Sequence, residues 1–183
     1  KQGKLWVGTD KGLDLYDYPT QTFRHFKHDP ENPASLSDDF VSAIVQDSKG
    51  VLWVGTQNGL NYYIHATDNF FRYQHREFDL NSLAHGYVKS IYEDKSGNLW
   101  IGTWGGGLDK LNPERKVFQH FQHQPGKRES LSNNSVLCIS GNGDNQIYIA
   151  TEGGGLNMLD LQKEQITHFI PDFTDPGSIN SNS

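Results

Sequence analysis

The chain has 183 residues, with 16 Lys and Arg against 22 Asp and Glu and a formal charge of −6. No basic block occurs, which excludes a groove that replaces nucleic-acid counterions with clustered Lys and Arg, and excludes a polybasic foot on a membrane. No apolar run approaches spanning length, so no segment is expected to insert into a bilayer, and the single cysteine, Cys138, cannot form an internal disulfide.

One pattern returns along the chain. LWVGTDKGLDLYD at Leu5 comes back as LWVGTQNGLNYYI at Leu52, LWIGTWGGGLDKL at Leu99 and IYIATEGGGLNML at Ile147, spaced 47, 47 and 48 residues apart. A fixed period of this size marks a repeat architecture. The units run over about 1–38, 39–86, 87–134 and 135–183, all within one domain over 1–183.

The second unit shows the elements. Phe40 to Gln46 is short and rich in β-branched residues and reads as a strand. Asp47-Ser48-Lys49-Gly50 turns the chain, because Asp bonds its own downstream backbone and Gly tolerates positive φ. Leu52 to Thr56 is a second strand, Gln57-Asn58-Gly59 a turn, and Leu60 to Ile64 a third strand. Ala66 to Asn69 turns again, and Phe70 to His75 is a fourth strand. A polar connection from Arg76 to Gly86 leads to the next first strand near Tyr87. No segment holds a 3.6-residue period, so helices are not expected.

Four short strands joined by tight turns make an antiparallel meander. Runs such as Leu52-Trp53-Val54 are apolar on both faces, so each sheet must be sandwiched between others. The expected fold is all-β: a β-propeller fragment of four blade units, each a four-stranded antiparallel meander. A β-solenoid is the alternative. The first-strand landmarks are Val41, Val88 and Val136, and one period before Val41 lies upstream of Lys1. The first blade therefore lacks its innermost strand, which leaves fifteen strands. A closed ring of four is possible. A segment of a larger ring is preferred, because a missing inner strand would leave an unpaired edge along the axis.

Several positions repeat with the frame. Trp6, Trp53, Trp100 and Tyr148 share one site on the second strand, with Gly8, Gly55, Gly102 and Ala150 two residues later. Phe23, Phe70, Phe118 and Ile166 mark the fourth strand, with Phe26, Tyr73, Phe121 and Phe169 three residues on. All read as core, because packing is what repeats.

The segment IYEDKSGNLWIGTWGGGLDKL (91–111), echoed by IVQDSKGVLWVGTQNGLNYY (44–63), resembles the two-component regulator propeller repeat. The aromatic fourth strand and the linker DPENPASLSDDFV (29–41) continue the resemblance. The fourth unit departs from it at Asn142, Asn145 and Tyr148, so its first hairpin is expected to be looser. The resemblance implies a ring of about seven blades, placed outside the cytoplasm as the periplasmic sensor of a bacterial inner-membrane receptor. The output would be a histidine kinase, a hybrid kinase-regulator or a diguanylate cyclase. It also implies that the partners are an oligosaccharide or other small ligand, the remaining blades of the ring, and a second receptor copy in a homodimer.

Function should lie where the copies differ. The turn between second and third strands holds Asp10-Lys11, Gln57-Asn58, Trp104-Gly105-Gly106 and Glu152-Gly153-Gly154 in the four units. In a propeller this turn shares a rim with the connection to the next blade, and loops on a rigid scaffold carry binding residues. Trp104 is the one Trp outside the frame; beside glycines its indole is free to stack on a sugar face or a protein partner. The candidate ligand-binding residues are Trp104, Glu152, Gln57, Asn58, Asp10, His85 and Tyr87, with Asp38, Asp39, Asn133 and Asn134 nearby on the connections.

No metal site and no cofactor are expected. His28, His75 and His123 occupy one repeat position and His25, His120 and His168 another, so they sit on different blades rather than converging as zinc requires. The Asp turns lack the alternating ligands of a calcium loop, and the Gly runs precede no helix. Carboxylates are scattered over turns without a catalytic pair, so a lyase or glycosidase is the weakest reading. The expected function is non-catalytic ligand sensing; the alternative is a structural or protein-interaction propeller that mediates receptor dimerisation.

Overall fold

Each apolar run ends at a turn built from Gly, Asn, Asp or Thr, so the chain reverses every few residues. The computed structural model describes residues 4–143, 145–172 and 174–182, and these form fifteen strands with no helix among them. The first sheet is β1 (Leu5–Thr9), β2 (Gly12–Asp17) and β3 (Thr22–Phe26). The second is β4 (Val41–Gln46), β5 (Leu52–Thr56), β6 (Gly59–Ile64) and β7 (Asn69–Tyr73). The third is β8 (Val88–Glu93), β9 (Leu99–Thr103), β10 (Gly107–Asn112) and β11 (Val117–Phe121). The fourth is β12 (Val136–Gly141), β13 (Gln146–Thr151), β14 (Gly155–Asp160) and β15 (Gln165–Phe169).

Every sheet is an antiparallel meander in chain order. The first has three strands, the counterparts of the second, third and fourth strands elsewhere. Contacts between sheets concentrate on the first strands: β4 packs on β1, β8 on β4 and β5, and β12 on β8 and β9. Sheets stacked face to face with their first strands innermost are the blades of a β-propeller.

The core lies between blades. Leu13 and Phe26 of the first blade meet Val41, Val54 and Phe70 of the second. Trp53 and Leu60 meet Val88, Ile91 and Phe118 of the third. Trp100 and Leu108 meet Val136, Ile139 and Ile166 of the fourth. The connection between each pair of blades adds one fully buried leucine: Leu36, Leu83 or Leu131. Close approach is built in by the glycine two residues after each of these Trp residues. A Cβ at Gly55 would lie 2.6 Å from Val88 Cγ1, and one at Gly102 would lie 2.5 Å from Val136 Cγ1.

Asp47 ties the first hairpin to the core. Its Oδ1 accepts from the amides of Lys49 (3.0 Å) and Val51 (2.8 Å), and its Oδ2 accepts from Trp53 Nε1 (2.9 Å). Asp94 does the same for Trp100 Nε1, at 2.8 Å. In the fourth blade Asn142 and Tyr148 replace this pair: Asn142 Nδ2 and Tyr148 Oη each donate to Gln146 Oε1, at 3.3 and 3.5 Å.

The fourth strand of the second blade begins at Asn69 and ends at Tyr73, short of the expected His75. His75 leaves the sheet to form a parallel bridge with Leu83, and its Nδ1 lies 2.7 Å from Leu83 O. His28 and His123 bind Leu36 O and Leu131 O in the same way, so this repeated histidine closes the inter-blade loop. The expected first strands from Phe40 and Tyr87 begin one residue later, at Val41 and Val88.

One expectation is corrected: the repeated aromatics are not all core. Phe70 packs on Phe26 of the preceding blade and Phe118 on Tyr73, and both are buried. Phe23 is 48% exposed, because no blade precedes it among the described residues, and Phe169 is 39% exposed, because none follows. Trp6 and Tyr148, in the two end blades, are half-buried.

Ser90 Oγ is buried without a hydrogen-bond partner among the described residues, at the position that holds Ala43 and Cys138 in the neighbouring blades. Because a buried hydroxyl without a partner costs its desolvation, Ser90→Ala should raise stability by about 1 kcal/mol. This would be read as a higher urea midpoint at unchanged slope; a lower midpoint would mean that the hydroxyl is bonded after all.

Candidate functional site

The turns between second and third strands are fastened to the residues that open the first strands. Gln57 N donates to Phe40 O (3.2 Å), Trp104 N to Tyr87 O (2.9 Å) and Glu152 N to Ser135 O (2.9 Å). Gly105 N and Gly107 N both donate to Asn134 O, which holds the Gly-rich turn of the third blade against the next connection. The turns and connections thus form one rim around the inner strands.

On this rim the side chains of the second and third blades converge. Tyr87 lies between Phe40, with ring centroids 6.2 Å apart, and Trp104, at 6.4 Å. Phe40 and Trp104 are each 37% exposed, so two large rings face solvent beside a third. Lys89 Nζ sits 4.9 Å from the Tyr87 centroid and 5.3 Å from that of Trp104, within cation–π range of both. An exposed, pre-arranged aromatic surface flanked by a cation can stack on the apolar face of a ring-shaped ligand and bind its polar substituents.

Of the residues singled out from sequence, Trp104 and Tyr87 come together here. His85 supports them: the Tyr87 amide donates to its Nδ1 (3.1 Å), and desolvation, helped by nearby His75, lowers its pKa and keeps that nitrogen free to accept. Asp38 and Asn133 play the same part for the Phe40 and Ser135 amides. Asp39 and Asn134 accept from the His28 and His123 amides. These connection residues build the rim rather than presenting free groups. Gln57 and Asn58 are exposed at the adjacent turn. Glu152 is exposed, and its carboxylate has no hydrogen bond or ion pair among the described residues. Asp10 lies apart, in a recess of the first blade with Lys11, Asp14, His25 and Lys27.

Phe40 and Lys89 were not singled out from sequence. Phe40 shares the position of Tyr87 and Ser135, so comparing the copies there would have found it. On the opposite face, Trp53, Tyr62, Tyr73 and Pro113 line an open cleft of about 340 Å³, with the exposed Lys49–Glu114 ion pair at its edge. Burial pushes the Tyr73 phenol up to about 12, so it stays neutral there.

The profile described as Two component regulator propeller matches residues 35–58 and 82–105, which carry the connection, first hairpin and rim turn of the second and third blades. Those two stretches are similar to the two-component regulator propeller repeat. None of the curated proteins compared matches it. Among solved structures, it is similar to the extracellular domain of the hybrid two component system BT3049 from B. thetaiotaomicron. That match has 27% identity and a TM-score of 0.80 and covers 93% of this chain but 23% of that one. The extracellular domain of BT4673 from the same organism matches at 24% identity and a TM-score of 0.56, over 88% of this chain and 28% of that one. The WD40 repeats of RRP9 match at 10% identity and a TM-score of 0.63, over 91% and 47%. These last two show the shared fold alone. The chain spans about a quarter of the length of the two extracellular domains. Among the described residues no helix is long and apolar enough to cross a membrane.

Within these propeller repeats, a buried polar residue on the third strand anchors each rim connection. Asn61 Oδ1 accepts from Ser37 N (2.9 Å) while its Nδ2 donates to Ser37 Oγ (2.9 Å), and Asn157 treats Ser132 in the same way. The third blade has Asp109, which cannot donate, facing Ala84, which has no hydroxyl. Asp109 Oδ2 accepts from Ala84 N (2.9 Å), and Oδ1 lies 2.7 Å from His120 Nδ1. His120 Nε2 lies 2.8 Å from Leu80 O, so both ring nitrogens face acceptors and the imidazolium is favoured. The bond to Asp109 raises the His120 pKa above its usual 6.5, and burial raises that of Asp109.

A raised histidine pKa adds stability that is complete below about 6.5 and is lost as pH rises through the folded-state value. Asp109→Asn combined with Ala84→Ser would install the arrangement of the second and fourth blades. In urea unfolding followed against pH, the natural chain should lose stability as pH rises from about 6.5 through the raised folded-state value, and the double variant should lack that decline; an unchanged slope would exclude the pair as its source.

Proposed function

We infer that this segment belongs to the ligand-binding sensor region of a bacterial signal-transduction receptor, and that it acts by binding rather than catalysis. The observation that carries this reading is the exposed aromatic surface of Phe40, Tyr87 and Trp104 on the rim, in repeats similar to an extracellular domain of a hybrid two component system. Aromatic faces beside hydrogen-bonding groups suit an oligosaccharide, which presents apolar ring faces edged with hydroxyls. Binding is favoured over chemistry because the Asp47, Asp94 and Asp109 carboxylates are each spent on structural hydrogen bonds. A periplasmic location, a larger ring completed by further blades, and signalling through a receptor homodimer complete the proposal.

In the full extracytoplasmic region, a thermal-shift panel of oligosaccharides should contain members that raise the melting temperature, since a ligand of the native state stabilises it. Trp104→Ala should weaken their binding by roughly tenfold or more while leaving the unliganded melting temperature nearly unchanged, the scale expected for an exposed stacking aromatic. Full affinity in that variant would remove the rim from the reading.

A further inference from the structure

Lys89 does not belong to the repeated framework. It is the extra residue of a β-bulge between Val88 and Ser90, where the register of β8 on β9 shifts. A bulge of this kind re-aims a side chain out of the ladder. The same bulge holds Ser42 in the second blade and Leu137 in the fourth. Ser42 spends its hydroxyl on Val88 O and Gly55 O, which knits two inner strands together. A lysine at this position can make no such knot, and the fourth blade manages with an apolar residue.

Lys89 is half-buried as a residue, and its ammonium group lies against two rings and makes one long hydrogen bond, to Tyr87 Oη at 3.4 Å. No carboxylate pairs with it among the described residues, although acidic residues exceed basic ones in the chain. In this it is like most lysines here, since among the described residues only Lys49, with Glu114, and Lys163, with Asp160, form ion pairs; what sets Lys89 apart is its place against two rings of the rim. An ammonium has three donors, and ring faces satisfy none of them with a lone pair of comparable strength. The rings instead hold the cation in place beside Trp104 and shield it from part of its water, which strengthens its attraction for an incoming anion.

We propose that this rim selects an acidic saccharide, a sugar bearing a carboxylate or sulfate, by stacking its ring on Trp104 and Phe40 while the Lys89 ammonium binds the anionic group. This deepens the reading of the rim as a ligand site and rests on it. Neutral sugars would use the aromatic surface alone. The charge-assisted bond would supply the difference.

The test is calorimetric titration of the full extracytoplasmic region with three sets of probes: oligogalacturonates, sulfated galactose oligomers and uncharged galactose oligomers of equal length. The natural protein should bind at least one acidic set more tightly than the neutral one, with an affinity that falls as salt is raised. Lys89→Met, which keeps the apolar stem, should cut acidic binding roughly tenfold or more and leave neutral binding unchanged. The two acidic sets distinguish carboxylate from sulfate recognition. Equal binding of neutral and acidic probes, or acidic binding that survives Lys89→Met, overturns the charge selection and leaves the saccharide rim standing. No binding by any set, with Trp104→Ala also silent, overturns the rim reading and this inference with it.

Discussion

The structure depends on one close approach repeated between blades. The valine that opens each inner strand presses into the gap left by a glycine on the second strand of the preceding blade, with Val41 over Gly8, Val88 over Gly55 and Val136 over Gly102. Any Cβ there would overlap the valine methyl groups, so the glycine sets how near two sheets can come. That spacing lets Trp53 and Trp100 bury their rings against the next blade while Asp47 and Asp94 satisfy their indole nitrogens. A meander of four short strands could not bury two apolar faces alone; stacked neighbours can.

The same contact positions the rim. Immediately after Val88 the strand bulges, and the residue before it, Tyr87, receives the amide of Trp104. The aromatic group and Lys89 are therefore fixed from both sides, by the buried valine below and by the turn above. Identical backbone machinery in the other blades holds different side chains: Ser42 with Gln57, and Leu137 with Glu152. The framework is repeated and the chemistry is not, which is how a scaffold of near-identical units comes to carry one distinct surface.

Most of the framework was legible in the sequence, because strand length, turn residues and the period near 47 residues are local signals. The four meanders, the buried tryptophans and the glycine notches follow from them. Exposure at Phe23 and Phe169 did not, since burial of those rings depends on a neighbouring blade rather than on their own strand. The end of the fourth strand before His75 was also hidden, because the imidazole bond to Leu83 O spans a loop. Trp104 and Tyr87 could be read as rim residues from topology alone. Lys89 could not: a bulge is a property of hydrogen-bond register, and within VKSIYE the lysine looks like any outward strand residue.

The most direct test is a double-mutant cycle between Gly55→Ala and Val88→Ala, read by urea unfolding. Removing the valine methyl groups makes room for the new Cβ, so the pair should be more stable than the sum of the single variants by about 1 kcal/mol or more. Strict additivity would mean that the two blades do not meet at this point, and would contradict the packing on which both the fold and the rim are built.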